Sequence, residues 1–271
     1  MNKKRILYIS QEITPYLPES ELASMGRNLP QGIQEKGREI RTFMPKFGCI
    51  NERRNQLHEV IRLSGMNLII DDNDHPLIIK VASIQPARMQ VYFIDNEDFF
   101  QRKAILKDKE GNFFEDNDER AIFFCRGVLE TVKKLGWAPD LIHCHGWMTS
   151  LIPLYLKTSY KNEPLFEKSK VVTSIYNDCF KGNLDKNFAQ KAKMDGISDE
   201  DLEHYASPTH DSLCKAAAAW SDGVIIGSKE ASEMAGSITD VPVLDFQDEN
   251  IVDNYNQFYD EVLMEEEVLA E

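Results

Sequence analysis

The chain has 271 residues, 42% hydrophobic and 28% charged, ordinary proportions for a globular protein with a sizeable core. A formal net charge of −14 disfavours nucleic acid and anionic membrane surfaces as partners, and no apolar run approaches the roughly 18 residues needed to cross a bilayer. The N-terminus has no signal-peptide core, and Cys49, Cys125, Cys144, Cys179 and Cys214 include no C-x-x-C pair, so a cytoplasmic chain with free thiols is expected.

Short apolar runs mark the predicted strands in chain order: Ile6 to Ser10, Ile40 to Met44, Leu77 to Ile84, Val91 to Ile94, Leu141 to His143, Val171 to Ile175 and Val224 to Ile226. Helical patterns lie between several of them, which predicts an α/β fold with a doubly wound, mostly parallel, Rossmann-like sheet. Residues 55 to 94 break that rhythm with strand-like segments and no long helix. In a doubly wound sheet, ligands gather beyond the carboxyl ends of the strands. The segments Gln11 to Ser24, Cys144 to Thr149 and Tyr176 to Lys181 all follow such ends and are expected to converge on one cleft.

Charge separates the end of the chain from the rest. From Glu230 to Glu271 there are thirteen acids and no Lys or Arg, so residues before Glu230 carry about −1 of the total of −14. Residues 1–246 are expected to form the domain and 247–271 an acidic tail. Two readings of the tail stay open. It is a solvated extension, or a helix whose Ile251, Tyr255, Phe258, Tyr259, Val262 and Leu263 lay an apolar stripe on a neighbour.

The segment Leu135-Gly-Trp-Ala-Pro-Asp-Leu-Ile-His-Cys-His-Gly-Trp-Met-Thr-Ser-Leu-Ile-Pro-Leu-Tyr-Leu156 resembles the L-G-W-x-P-D-[VI]-[IV]-H-x-H-D-W-[HQ] segment of bacterial glycogen and plant starch synthases. Further stretches match in order. They are Arg5 to Tyr16, Leu29 to Gly48, Tyr92 to Phe99, Asp116 to Arg126, Val171 to Asn177 and Lys215 to Ser228, spanning about residues 5 to 235. The resemblance implies the N-terminal Rossmann-like half of the two-domain GT-B glucosyltransferases, with a small β-hairpin excursion within residues 55 to 94. At 271 residues the chain is expected to hold one half only.

Against that family, several functional letters differ. Gly146 and Met148 stand where H-D-W-H has Asp and the second His, and Tyr176 replaces the histidine of T-I-H-N. The family's K-T-G-G-L-G-D donor loop, which lays a lysine and glycine amides against a diphosphate at a helix N-terminus, aligns with Pro18-Glu19-Ser20-Glu21-Leu22-Ala23-Ser24. Proline removes an amide donor, and two glutamates oppose an anion.

The candidate cleft residues implied are Glu12, Tyr16, Asp116, Asn117, His145, Trp147, Tyr176 and Asn177. Each has a plainer role. His143 reads as a hydrogen-bonded core histidine, while His145 faces the cleft in the family pattern and could bind a hydroxyl. Trp147 could stack on a sugar but also reads as packing, and Asp116 and Asn117 could simply cap the helix that follows. No cofactor is expected. The pair His143 and His145 has no further ligands at metal-site spacing, and no Cys-His or Ser-His-Asp arrangement is visible in the spacing.

Two functional readings remain. In one, a degenerate synthase-like domain binds a glucan, a small molecule or a protein without transferring glucose. In the other, an active glucosyltransferase is completed by a separate subunit. A protein partner or a second copy is expected on the face that would otherwise meet the second domain.

Overall fold

The alternation of a strand explains the core. In β1 (Arg5–Ser10), Leu7 and Ile9 point into one apolar layer and Ile6 and Tyr8 into another, all within 1% of complete burial. A strand covered on both faces needs helices on both sides. The computed structural model describes residues 3–235, 238 and 240–264, and its elements follow in chain order.

After β1 come α1 (Glu21–Glu35), β2 (Glu39–Pro45), β3 (His58–Glu59), β4 (Met66–Ile70), β5 (Asn73–Ile84), β6 (Met89–Asp95), α2 (Glu97–Phe100) and α3 (Asn117–Leu135). The second half runs β7 (Leu141–His145), α4 (Leu151–Lys157), β8 (Lys170–Ile175), α5 (Phe188–Ala192), α6 (His210–Ala219), β9 (Gly223–Ile226), α7 (Ser232–Ala235), β10 (Val243–Leu244) and α8 (Ile251–Met264). The strand order is β10-β9-β8-β7-β1-β2-β6-β5-β3, with β4 paired to β5. Every pairing from β10 to β6 is parallel, whereas β5 is antiparallel to β3, β4 and β6.

The fold class is therefore α/β with a mostly parallel sheet, and the antiparallel excursion lies within the segment expected to break the rhythm. All seven predicted strands fall inside observed ones. The chain leaves β1 for β2 and β6 on one side and returns to β7, β8 and β9 on the other, which puts the switch point of the winding between β1 and β7. Among the described residues, no helix is long and apolar enough to cross a membrane.

One face of the sheet packs mainly on α3 and α4, joining Ile142 and Cys144 of β7 to Phe123, Phe124 and Leu151. The other face takes α1 and α8: Ile6, Tyr8, Leu141, Val172 and Ile225 meet Leu29 and Ile33 of α1 and Tyr255, Phe258, Tyr259 and Val262 of α8. Thus within the segment after residue 246, Ile251–Met264 form a docked helix rather than a solvated extension. Its stripe covers the sheet itself. Residues 265–271, the acidic end of the expected tail, lie outside the described residues.

Close approach and charge both fix α8. A Cβ on Gly32 would come within 2.5 Å of the Val252 side chain, and one on Gly223 within 2.9 Å of Val262. Lys36 pairs with Asp253, and Arg38 reaches Asp260 at 2.9 Å and the Asn256 Oδ1 at 2.7 Å. The acids that made the segment look like a solvated tail are in part its anchors to basic residues at the end of α1.

The polar contact at the centre of this interface is Tyr259, whose hydroxyl lies 2.7 Å from His143 Nδ1 and 3.2 Å from the Tyr8 hydroxyl, all fully buried. Tyr259→Phe strands two buried groups and is expected to lower unfolding stability by about 1–3 kcal/mol in urea titration. Removing residues 248–271 exposes the layer covered by four buried side chains, each worth about 1.5–3 kcal/mol. That sum is comparable to a whole domain's stability of about 5–15 kcal/mol. The truncated chain is expected to lose its cooperative thermal transition or to self-associate in sedimentation; an unchanged melting temperature and mass would contradict the docking.

Candidate functional site

The carboxyl ends of β1 and β7 meet at the switch point, where a doubly wound sheet opens its crevice. The Gln11 backbone N–H donates to the His145 carbonyl at 3.0 Å, and the Gln11 Oε1 accepts the Met148 N–H at 3.2 Å. Gly146 sits between them at φ 88°, ψ 156°, a conformation that side chains other than glycine's rarely adopt. A Cβ there would lie 2.9 Å from the Gln11 Cβ and 3.1 Å from the Leu22 side chain, so Gln11 and Leu22 occupy the space a longer residue would need.

Beneath this turn, His143 and His145 project from the same side of β7 with ring centroids 3.8 Å apart. His143 is satisfied at both nitrogens, by Tyr259 and by the Ser174 hydroxyl at 2.7 Å. That is the core histidine its strand suggested. His145 does not open to the cleft: it is completely buried, its Nδ1 lies 2.8 Å from the Tyr176 hydroxyl, and its Nε2 has no partner. The tyrosine that stands in the T-I-H-N position roofs it over. Burial pulls the His145 imidazole down to about 3, and burial together with His145 holds His143 well below the ordinary range.

Of the other expected cleft residues, Glu12, Tyr176 and Asn177 do line one opening, with Gln11, Ser20, Glu21, Leu22, Leu106 and Asp178. Its volume is about 210 Å³, below the roughly 300 Å³ at which ligand pockets usually begin. The opening is acidic. Burial, reinforced by Asp178 and opposed by the Ser20 hydroxyl, holds the Glu12 carboxyl above its usual range; burial and Glu230 do the same for Glu21.

The segment aligned with the family's donor loop is exposed at Pro18, Glu19, Ser20 and Glu21, and it satisfies the start of α1 from within. Ser20 accepts the Ala23 N–H at 3.0 Å and donates to the Glu12 carboxylate at 2.9 Å, while Glu21 puts its charge on the first turn. Ser24 lies one turn further on and lines a different groove, with Phe246 and Ile251.

Four expected site residues belong to the packing. Trp147 is 2% exposed, its ring edge-on to Phe180 at 4.9 Å. Tyr16 is buried edge-on to Phe93, and burial pushes its hydroxyl up to about 12. Asp116 precedes α3 without capping it; its carboxylate instead pairs with Arg102 at 2.5 Å. Asn117 is fully buried and ties α3 to the preceding loop through the Leu106 carbonyl and Arg120.

One constellation escaped the sequence. Cys179 Sγ lies 3.4 Å from His210 Nδ1, His210 Nε2 lies 2.9 Å from Asp178, and the second Asp178 oxygen accepts the Trp147 N–H at 3.0 Å. A separation of 32 residues between Asp178 and His210 carries no motif. Burial, then Asp178 and Asp211, pushes the Cys179 thiol up, the opposite direction from an activated nucleophile. Burial acts to lower His210, but Asp178 more than reverses it. The cluster secures the turn at Trp147. Among the described residues, no group of three His, Cys, Asp or Glu is placed to hold a metal.

Both buried imidazoles have folded values depressed below the unfolded value of about 6.5. Their contribution is therefore fully present above about pH 6.5 and is lost as pH falls from there towards the His145 value of about 3. Each contributes a slope approaching 1.36 kcal/mol per pH unit. Glu12, with its raised carboxyl, has the opposite sign. Urea unfolding between pH 7 and 4.5 is expected to show stability falling with pH, more shallowly in His145→Gln; equal slopes would contradict a buried neutral His145.

A closed, acidic corner on a doubly wound half is thus the setting in which the relatives must be placed. The model of the starch synthase catalytic domain matches residues 5–237. Glycogen synthase of Chlorobium luteolum is 40% identical over 195 residues, covering 72% of this chain and 40% of that protein. That of Chlorobium phaeobacteroides is 41% identical over 188 residues, covering 69% and 38%. The chain therefore spans about two fifths of the length of these relatives. Among solved structures, the catalytic domain of starch synthase IV from Arabidopsis thaliana, bound to ADP and acarbose, superposes with a TM-score of 0.70 at 18% identity, over 90% of this chain and 51% of that one. The fold and the matched length together make this chain a member of the starch synthase catalytic domain family.

Proposed function

We propose that this chain is a catalytically degenerate glycogen/starch synthase-like domain, acting as a binding or regulatory module in glucan or related metabolism in the cytoplasm. The observation that carries the reading is the closed corner: His145 and Met148 have no exposed surface, and what remains open is lined by Glu12, Glu21 and Asp178. A nucleotide diphosphate needs cations or free amides. Here the start of α1 is capped by its own serine and faced by carboxylates. A glucan, a small metabolite or a protein is the expected class of ligand.

Loss of one preorganised electrostatic group typically costs about 10²- to 10³-fold in rate. Several such groups are changed together in this chain. The purified chain is expected to incorporate no labelled glucose from ADP-glucose into glycogen, and ADP or ADP-glucose is expected to leave its melting temperature unchanged. Robust incorporation would favour the active glucosyltransferase instead.

Restoring single family letters is not expected to rescue activity. Gly146→Asp must place a side chain against Gln11 and Leu22 at a backbone conformation close to glycine-only, and is expected to cost about 1–3 kcal/mol of stability by chemical denaturation. A neutral or stabilising outcome would mean that the corner is less rigid than its geometry indicates.

A further inference from the structure

At the opposite ends of the parallel strands from the cleft, the starts of β2 and β6 and the turn after β5 enclose a groove of about 540 Å³. Its polar lining is Gln34, Glu39, Arg41, Ser83, Gln85, Arg88 and Gln90, with the Tyr92 ring beside them. The Arg41 guanidinium lies 5.0 Å from the Trp137 ring and 5.9 Å from the Tyr92 ring, and its Nη1 is buried without a hydrogen-bond partner. Neither Arg41 nor Arg88 has a carboxylate partner among the described residues. In a chain with 45 acids and 31 Lys and Arg, two arginines that share one groove and make no direct ion pair there call for a reason.

Glu39 is the one acid among the described residues lining this groove, and both its oxygens are engaged. Oε1 accepts the Trp137 indole N–H at 2.5 Å and Oε2 accepts the Arg5 Nε–H at 3.3 Å; the first of these, with the charges of Arg5 and Arg41, holds its carboxyl below the usual range. Arg5 takes the hydrogen bond to Glu39, while Arg41 acts on that carboxylate through charge alone and keeps its own donors free of it. A guanidinium held between aromatic rings keeps its planar fork oriented, the arrangement that matches phosphate and carboxylate oxygens in pairs.

We propose that this groove is a binding site for a small oxyanion, a phosphate or carboxylate carried by a metabolite-sized molecule, held by Arg41 and Arg88 with the Gln34, Gln85 and Gln90 amides and the Ser83 hydroxyl around it. Its volume falls within the range of about 300–1,000 Å³ typical of small-molecule sites. The site is separate from the closed corner and independent of whether the chain transfers glucose.

The test is calorimetric titration of the full chain at constant ionic strength with inorganic phosphate and, separately, citrate. Two variants accompany it. Arg41→Met keeps an unbranched apolar stem over Trp137, and Arg88→Asn keeps a residue tolerant of the positive φ of 50° found there. Saturable binding of at least one anion is expected, phosphate alone marking a phosphorylated ligand and citrate alone a carboxylate. Each variant should weaken it by about 10-fold or more, as loss of a charge-assisted hydrogen bond does. If neither anion binds at millimolar concentration, or if folded Arg88→Asn binds as tightly as the parent, the proposal is overturned; should Arg41→Met fail to fold, Arg88→Asn decides alone.

Discussion

Two neutral imidazoles packed against each other at the end of the central strand constrain the rest of this molecule. His143 and His145 lie on one side of β7 with centroids 3.8 Å apart, in a layer that admits no water-accessible surface at either ring. Neither can carry charge there without a large desolvation cost. Each must therefore be held by neutral partners, and those partners come from distant parts of the chain: Tyr259 from α8, Ser174 from β8, Tyr176 from the loop beyond it. The hydrogen bonds that quiet the imidazoles also position the elements that bring them.

From that constraint the closed corner and the docked helix follow as one arrangement. Tyr176 lies over His145, and a Cβ on Gly227 would come within 2.6 Å of its ring, so the tyrosine fills its space without slack. On the other side, Tyr259 draws α8 onto the sheet beside α1, where Gly32 and Gly223 permit contact too close for any side chain on either residue. In this chain His145, expected to face the cleft, is instead buried against Tyr176.

Much of the fold was legible because parallel strands buried on both faces read as short apolar runs, and Val171 to Ile175 or Leu141 to His143 admit few other interpretations. The antiparallel excursion was visible as a break in rhythm. What was not legible depended on partners far away in sequence. The stripe from Ile251 to Leu263 left docking open, but its acids favoured solvation until Lys36 and Arg38 met them. His145 stands at the end of a strand, where an open site was expected, but its cover is supplied 31 residues later by Tyr176. Asp116 precedes a helix as a cap would, yet Arg102 takes its carboxylate. The pairing of Asp178 with His210 had no spacing signal. Arg41 drew no notice because a lone arginine in a strand acquires meaning only beside Trp137 and Tyr92.

The protonation of His145 reports most directly on whether this corner is closed. Nitrogen-15 NMR of the histidine side chains, recorded from pH 7.5 to 4.5 with and without ADP-glucose, reads it without any change of sequence. A closed corner predicts that His145 stays neutral throughout, consistent with burial pulling its imidazole down to about 3, and that ADP-glucose leaves its resonances in place. Titration near pH 6.5, or a shift of His145 on adding ADP-glucose, would show a solvent-open, ligand-bearing site and contradict the account.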